Sequence, residues 1–210
     1  MHIKQFVFNF VAVNTYLLYD GTHEALLIDP GFYKEREVAE FEEFMRTNNL
    51  VLKKCVITHP HPDHYAGGKF VVDAFDVVPE MHPAAKSLFS MSEELSFALG
   101  FRKFQPFDVN YSLNEGADVK FGNSQLSVSY TPGHADGSVC LYNAVEKCVF
   151  CGDVLFKDSI GRTDLPTGNF DTIISSVEQK LFTLNEDVEV YSGHGESFSI
   201  GYAKKFNPYF

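Results

Sequence analysis

The stretch Thr58-His59-Pro60-His61-Pro62-Asp63-His64 follows directly after the apolar run Cys55-Val56-Ile57, so it leaves a strand that is expected to be buried. His59 and His61 each precede a proline, which favours extended backbone. Because side chains alternate along an extended chain, His59, His61 and Asp63 are expected on one side. Asp63 is also placed to cap a following helix, which would return His64 to the same place. Three imidazoles and one carboxylate this close together suit zinc, manganese or iron.

Three later segments repeat one pattern, in which an apolar strand-like run ends in a glycine-containing turn that carries a possible metal ligand. Glycine lets the backbone bend sharply and approach a site closely. If these strands point the same way, their carboxyl ends converge at one edge of a sheet, where ligand sites form. We therefore expect these residues to join the first set. The three turns are Pro132-Gly133-His134, Gly152-Asp153 and Gly193-His194-Gly195.

In this order the motifs resemble those of the metallo-β-lactamase fold superfamily. The resemblance runs from Asn14-Thr15-Tyr16-Leu17 through Asp29-Pro30-Gly31 to residues 193–195. It implies an α+β fold, a four-layer αβ/βα sandwich with the site at one edge. It also implies a cofactor of two divalent metal ions, zinc first, with iron or manganese as alternatives. One ion would be held by His59, His61 and His134 and the other by Asp63, His64 and His194, with Asp153 bridging them.

Strand-like and helical patterns alternate along the chain, with no repeat, low-complexity tract or linker between them. The spacing of apolar residues predicts helices over residues 35–45, 83–99 and 171–181, and a short helix after His64. The clearest strands are predicted over 3–8, 15–19, 25–28, 51–57, 126–130, 139–142, 148–154 and 188–191. Strands with helices, followed by strands with helices again, suggest two sheets packed face to face with helices outside. We expect residues 1–210 to form one domain.

Charge and cysteine content narrow the possible functions. With 17 basic and 28 acidic residues the chain has a net charge of -11, which disfavours binding to nucleic acid or to a membrane surface. Neither a signal peptide nor a membrane span is visible, so a cytoplasmic location is the default expectation. The four cysteines lie in apolar runs and are expected to be buried, reduced thiols. The sequence leaves the oligomeric state open.

Within the superfamily, the segment Ser159-Ile160-Gly161-Arg162-Thr163-Asp164-Leu165-Pro166 resembles small bacterial glyoxalase II-like hydrolases, the hydroxyacylglutathione hydrolases. This resemblance implies a small-molecule thioester substrate, with Asp63 as a ligand and as the catalytic residue that orients the attacking water. The C-terminal helical domain of full-length glyoxalase II is not expected, because the chain ends soon after His194. Arg162 is expected either to bind a substrate carboxylate or to pair with Asp164, and these interpretations stand equal.

Other polar residues near the motifs are expected to support the site or to have no part in it. Thr131 and Ser138 flank the His134 turn, where their hydroxyls would hydrogen-bond the ligands. His2, His23 and His82 have no motif around them and are expected to be ordinary surface residues.

Several other functions use the same fold. Persulfide dioxygenases share it and a Gly-Arg-Thr-Asp segment but hold a single iron through residues matching His59, His134 and Asp153, so the ligand set does not separate the two activities. Oxygen-reducing di-iron relatives typically have Glu at the position of His61. Secreted β-lactamases commonly have Cys at the position of Asp153 and carry a signal peptide. RNA-processing relatives need a positively charged surface. A metal-binding protein without catalysis is disfavoured by the complete ligand set.

Overall fold

A computed structural model describes residues 1–210, and its strands follow the alternation of apolar side chains in the sequence. No helix is long and apolar enough to cross a membrane. The strands are β1 (His2–Phe8), β2 (Val13–Tyr19), β3 (Glu24–Ile28), β4 (Val51–Val56), β5 (Asp118–Phe121), β6 (Ser124–Tyr130), β7 (Val139–Asn143), β8 (Cys148–Gly152), β9 (Leu155–Phe156), β10 (Ser159–Ile160), β11 (Glu189–Ser192) and β12 (Phe198–Ser199). The α-helices are α1 (Glu35–Thr47), α2 (Pro62–Tyr65), α3 (Gly68–Phe75), α4 (Lys86–Phe89), α5 (Ser92–Ala98), α6 (Phe170–Ser176) and α7 (Ile200–Phe206).

Two sheets lie at the centre of the molecule, one with the strand order β1-β2-β3-β4 and the other with the order β12-β11-β8-β7-β6-β5. Strands β6 and β8 both run antiparallel to β7, and β11 runs parallel to β8. Strands β6, β8 and β11 therefore point the same way. Their carboxyl ends meet at one edge of the sheet, as the glycine-containing turns predict.

The two sheets pack face to face, with helices on both outer sides. Tyr16 and Leu18 of β2 point inward and share one apolar core with Leu141 and Phe150 of the second sheet. Leu17, between them in sequence, points outward into the core that α1 and α3 cover. The outer face of the second sheet packs against α6 and α7. This order of layers confirms the four-layer αβ/βα sandwich. Because its strands are covered on both faces, they carry apolar side chains on both faces.

Two predicted helices are less regular than expected. Over residues 83–99 the chain forms a 3₁₀ turn at Pro83–Ala85, then α4, and after an interruption α5. At that interruption the Ser90 hydroxyl donates to the carbonyl of Ser87, 2.6 Å away, a side-chain bond that competes with helix continuation. Over residues 171–181, α6 gives way to a π-helical turn at Val177–Leu181, which keeps Val177 and Leu181 in the buried core.

All four cysteines are buried and unpaired, as the sequence predicts. Cys140 and Cys151 lie in the outer core of the second sheet, and Cys148 lies in the core between the sheets. Burial raises the pKa of Cys148 and of Cys151 to about 12, so both remain neutral thiols. The Cys-x-x-Cys spacing in β8 is therefore a feature of strand packing.

Candidate metal centre

The predicted ligands lie together where β4, β6, β8 and β11 end. Four of them come from the segment after β4 and from α2, and the other three follow β6, β8 and β11 singly. The Thr58 carbonyl accepts a hydrogen bond of 2.9 Å from the Val139 amide, which ties the first ligand segment to the second sheet. The centre therefore spans both sheets. It contains His59, His61, Asp63, His64, His134, Asp153 and His194.

Helix α2 begins earlier than predicted, and Asp63 is not its cap. His61 is the N-cap residue, with extended backbone, and Pro62 is the first helical residue. Proline suits this position because its fixed φ and missing N–H match the first turn of a helix. Asp63 is therefore part of the helix, and the direction of its side chain does not result from alternation along an extended chain. A single helical turn brings Asp63 and His64 to the site.

A first group consists of three buried imidazoles. The ligand nitrogens of His59, His61 and His134 all lie within 4.8 Å of one another, and Nε2 of His134 is 2.9 Å from Nδ1 of His61. Burial and the neighbouring His134 lower the pKa of His61 to about 3. Burial and neighbouring imidazoles also hold the pKa of His59 well below its usual range. Neutral imidazoles at this spacing offer lone pairs to one cation.

A second group contains one carboxylate between two imidazoles. Oδ2 of Asp63 lies 3.1 Å from Nε2 of His194 and 3.3 Å from Nε2 of His64. Burial disfavours a charged His64, but Asp63, Asp153 and Asp29 outweigh this effect and raise the pKa of His64 well above its usual value. The raised pKa favours a ring that carries an additional proton. A metal cation in place of that proton would interact with the same carboxylates. His194, with 27% of its side chain exposed, lies on the open side of the centre.

Asp153 lies between the two groups. Its Oδ1 is 3.4 Å from Nε2 of His64, while its Oδ2 is 3.6 Å from Nε2 of His194 and 3.8 Å from Nε2 of His134. The backbone of Gly193 passes so close that a Cβ there would lie 2.2 Å from Asp153 Oδ1. Glycine is therefore required in this turn, and Asp153 is placed to contact both groups.

The ring nitrogens that face away from the centre are held by oxygen atoms. Nδ1 of His134 contacts the Arg162 carbonyl at 2.8 Å, and Nδ1 of His194 contacts the Ala12 carbonyl at 3.2 Å. Because a carbonyl only accepts, both rings carry a proton on Nδ1 and direct Nε2 inward. Oxygen atoms in this role are typical of metal-binding histidines.

Asp29 and Thr58 contact the predicted ligands, and the sequence interpretation did not assign either of them to the site. Oδ2 of Asp29 is 2.9 Å from Nδ1 of His64 and accepts from the Thr58 hydroxyl at 2.8 Å, while Oδ1 accepts from the Thr58 amide at 2.7 Å. The Thr58 hydroxyl in turn lies 3.1 Å from Nδ1 of His59. The signal was present in Asp29-Pro30-Gly31, which follows a strand as the other ligand turns do.

Two residues predicted to support the ligands do not contact them. The Thr131 hydroxyl lies 3.3 Å from the Cys140 sulfur, and the Ser138 hydroxyl donates to the Ala135 carbonyl at 2.7 Å. The Ser138 hydroxyl is directed into the turn that carries His134, and the Thr131 hydroxyl is directed toward β7. They stabilise the loop and form no bond to a ligand.

The remaining sequence predictions concern residues outside the centre. Arg162 forms a two-pronged ion pair with Asp164, with both N···O distances 2.7 Å. His2 and His23 are exposed, as predicted. His82 is half-buried instead, because its ring stacks on Tyr130 at 4.0 Å and accepts the Ala84 amide at the start of the 3₁₀ turn.

Three buried polar atoms of the centre have no hydrogen-bond partner: His59 Nε2, His64 Nε2 and Asp153 Oδ1. An unsatisfied buried polar group costs about 1–3 kcal/mol, and more when it is charged. Coordination of cations by these atoms would remove that cost. Imidazole and carboxylate groups are also the ligands that zinc, iron and manganese accept. The cluster is therefore suited to a dinuclear metal site.

The fold and this site define a class of protein. A family model described as the metallo-beta-lactamase superfamily matches residues 8–194, and the chain belongs to that superfamily, which confirms the resemblance seen in the sequence. The chain is 34% identical to hydroxyacylglutathione hydrolase GloC of Haemophilus influenzae over 198 residues, which span 93% of this chain and 92% of that protein.

Two solved structures are similar over their whole length. BLEG-1, a B3 metallo-beta-lactamase, has a TM-score of 0.88 and 31% identity, with 99% of each chain covered. TTHA1623, solved in a di-iron-bound form, has a TM-score of 0.87 and 29% identity, with 99% of this chain and 100% of the other covered. Proteins of this fold and size thus include one that holds two iron atoms.

Proposed function

We propose that the chain is a metal-dependent hydrolase that cleaves thioesters, with hydroxyacyl-glutathione or a similar thiol ester as substrate. The observation that carries the proposal is the arrangement of the centre, in which two ligand groups lie on either side of Asp153. Similarity to hydroxyacylglutathione hydrolase GloC supports a thioester over other esters. The substrate is a small molecule, and the strongly acidic chain disfavours nucleic acid as an alternative.

Two divalent ions bound here would supply Lewis acidity and a water molecule that ionises near neutral pH. The residues of the chain position the reactants around that water. Asp63 is partly exposed, with 15% of its side chain accessible, and both of its imidazole contacts are made through Oδ2. Its carboxylate is therefore placed to accept a hydrogen bond from the attacking water and to orient it. Asp153 keeps the two ligand groups at a fixed separation.

A thioester also fits the side chains that surround the centre. The inner side chains are imidazoles and carboxylates, and the outward nitrogens of His64, His134 and His194 are already bonded to oxygen. A thiolate is a good leaving group that departs without prior protonation by a side chain. The alcohol released from an ordinary ester or the amine released from an amide has the greater need for a general acid.

Arg162 is the residue that we propose to bind a carboxylate of the substrate. Its backbone carbonyl contacts His134, so the side chain starts from the wall of the centre. The guanidinium is bound to Asp164, and both side chains are largely exposed, at 60% and 68%. Exposed ion pairs contribute about 0–1 kcal/mol. A substrate carboxylate can therefore replace Asp164 at little cost.

The test is release of thiol from lactoyl-glutathione by purified protein loaded with zinc, iron or manganese, with a chelated sample as control. The proposal expects turnover that chelation abolishes and that the matching metal restores. Release of thiol that persists after complete removal of metal would contradict it. Zinc is the expected resident metal. Iron is the next candidate because TTHA1623 was solved with two iron atoms.

Persulfide oxidation is the second candidate, because His59, His134 and Asp153, which match the single-iron ligands of persulfide dioxygenases, lie within one cluster. Oxygen uptake with a glutathione persulfide, from protein that holds one iron per chain, would favour this activity. A β-lactam assay belongs in the same series because of the similarity to BLEG-1. Metal-loaded protein that cleaves no thioester but shows one of these activities would replace the proposal.

A further inference from the structure

The turn that carries His194 follows a strand of the second sheet but is held by a residue of the first. The side chain of Asn14, in β2, donates to the Ser192 carbonyl at 2.9 Å and to the Gly195 carbonyl at 3.0 Å. The backbone amide of Asn14 donates to the Gly193 carbonyl at 2.7 Å. One residue thus bonds to the backbone on both sides of His194.

The sequence of this turn leaves its conformation open. Gly193 and Gly195 stand on either side of His194, and Gly195 has a φ of 77°. Glycine has the widest range of backbone conformations, so bonds from outside the turn are needed to hold one of them. His194 is also the one histidine of the centre that is not buried. Packing therefore does less to fix its ring than it does for the other imidazoles.

The amide group of Asn14 has a fixed orientation. The residue is buried, and its Oδ1 accepts from the Gln5 side chain at 2.7 Å, so its NH₂ group is directed to the turn. The Ser192 carbonyl also accepts from the Tyr16 hydroxyl at 2.6 Å. Because an unsatisfied buried polar group is costly, these donors and acceptors hold one another in a single arrangement.

These bonds act on only one of the two ligand groups. His194 belongs to the second group, with Asp63 and His64, whereas the first group consists of three imidazoles from other segments. The side chain of Asn14 bonds to Gln5 and to the His194 turn, and to no residue of the first group. A change at Asn14 is therefore expected to displace His194 and to leave the first group in place.

We propose that Asn14 is a positioning residue that determines whether the centre holds two metal ions or one. With its two donors in place, Nε2 of His194 lies 3.1 Å from Oδ2 of Asp63, and the second ligand group is complete. Without them the turn moves, the second group loses a ligand, and the first group still binds one ion. The inference rests on the two-metal centre of the proposed function. It gives β2, which supplies no predicted ligand, control over the number of ions.

The first experiment counts metal ions, so that it does not depend on turnover. Wild-type protein and Asn14→Leu are stripped of metal and titrated with zinc against a calibrated chelator, and elemental analysis gives the ions per chain. Leucine has nearly the volume of asparagine but donates no hydrogen bond. We expect two ions in the wild type. In Asn14→Leu the affinity for one ion should fall by about 10–100-fold, and the affinity for the other should change much less.

Three results of this titration would overturn the inference. They are equal losses of affinity for both ions, two ions bound as tightly as in the wild type, and a wild-type protein that holds a single ion. His59→Ala in the Asn14→Leu background then shows which group keeps its ion. We expect it to remove the remaining ion, and retention of that ion would place it outside the first group and refute the assignment.

The matched control is Asn143→Leu. Asn143 is also buried, its amide donates to the Gln125 carbonyl at 3.1 Å, and its Oδ1 accepts from the Glu146 amide at 2.8 Å. It stands at the carboxyl end of β7, which runs antiparallel to the strands that carry ligands. This variant should lower the melting temperature and still bind two ions. Loss of the second ion to the same extent in both variants would show a general effect of destabilisation and refute the proposal.

Gln5→Leu decides the question if Asn14→Leu does not fold. Gln5 is exposed in the edge strand β1, so the fold should persist. Without its donor the amide of Asn14 is free to turn over, and the affinity for the second ion should fall in the same direction by a smaller factor. An affinity for both ions equal to that of the wild type would then overturn the inference.

Thiol release from lactoyl-glutathione, measured on the same preparations, separates this inference from the proposed function. Selective loss of the second ion in Asn14→Leu, from a wild type that releases no thiol, would support the role of Asn14 and refute the thioesterase. Chelator-sensitive thiol release by wild-type protein, with both ions retained in Asn14→Leu, would refute the role of Asn14 and leave the thioesterase in place.

Discussion

Oδ2 of Asp29 lies 2.9 Å from Nδ1 of His64, although the two residues are 35 positions apart in sequence. The carboxylate holds a proton on Nδ1 of the ring, and so directs Nε2 toward Asp63 and Asp153. The same oxygen accepts from the hydroxyl of Thr58, which contacts His59. One carboxylate outside the predicted ligand set thus orients imidazoles of both ligand groups.

Asp29→Asn should weaken metal binding by about 10–100-fold while leaving the fold intact. Asparagine tolerates the positive φ of 53° at this position, but its amide cannot accept on both sides. Competition with a calibrated chelator measures the affinity, and Asp187→Asn is the control because Asp187 forms only an exposed ion pair with Lys147. Unchanged metal affinity in Asp29→Asn would show that His64 does not need a carboxylate partner to bind metal.

Asp153→Ala should remove most of the activity, by about a hundredfold or more, and reduce the bound metal. The carboxylate is the group that faces both His64 and His134, so its loss removes the one acidic group that the two ligand groups share. Turnover and metal content per chain are measured on the same preparation. Wild-type turnover with full metal content would be incompatible with a bridging position.

Arg162→Ala should raise KM more than it lowers kcat, since the side chain would contact the substrate away from the reacting carbonyl. Asp164→Ala is the informative partner, because it frees the guanidinium from its ion pair. If Arg162 binds a carboxylate, that second variant should lower KM or leave it unchanged. Identical KM values for wild type and Arg162→Ala with every thioester would indicate a purely structural ion pair.

Removal of metal should lower the melting temperature. Chelation leaves His59, His64 and Asp153 with unsatisfied polar atoms in a buried site. A ligand at a hundred times its Kd stabilises the folded state by about 2.7 kcal/mol, which corresponds to about 5–10 °C for a chain of this size. Differential scanning calorimetry with and without chelator measures the shift. A melting temperature unaffected by complete metal removal would mean that the buried polar atoms of the metal-free site already have hydrogen-bond partners.

The sequence was sufficient to predict which side chains lie together at the candidate centre and the order of the layers, because both depend on short-range patterns. His59, His61 and His64 are close in sequence, and His134 and His194 each stand in a turn after an apolar strand. Alternation of apolar residues then determined which strands are buried. The structure brings all of these side chains together.

The sequence was not sufficient where a residue's partner is distant or where several local choices compete. Asp29 reads as a simple turn residue until His64 is known to face it. Thr131 and Ser138 lie beside a predicted ligand, but their hydroxyls contact the Cys140 sulfur in β7 and the Ala135 carbonyl in the loop. The interruption at Ser90 depends on a side-chain bond to a neighbouring carbonyl that apolar spacing does not report.

The position of the centre on both sheets has a consequence for synthesis on the ribosome. Asn14, near the start of the chain, donates from its side chain to the carbonyls of Ser192 and Gly195, at 2.9 and 3.0 Å. A nascent chain that has emerged only through residue 150 contains His134 but neither Asp153 nor His194. Such a chain cannot complete either the bridge or the second ligand group. The complete set of predicted ligands is therefore present only after residue 194 has been synthesised, and a prematurely released fragment would lack part of it.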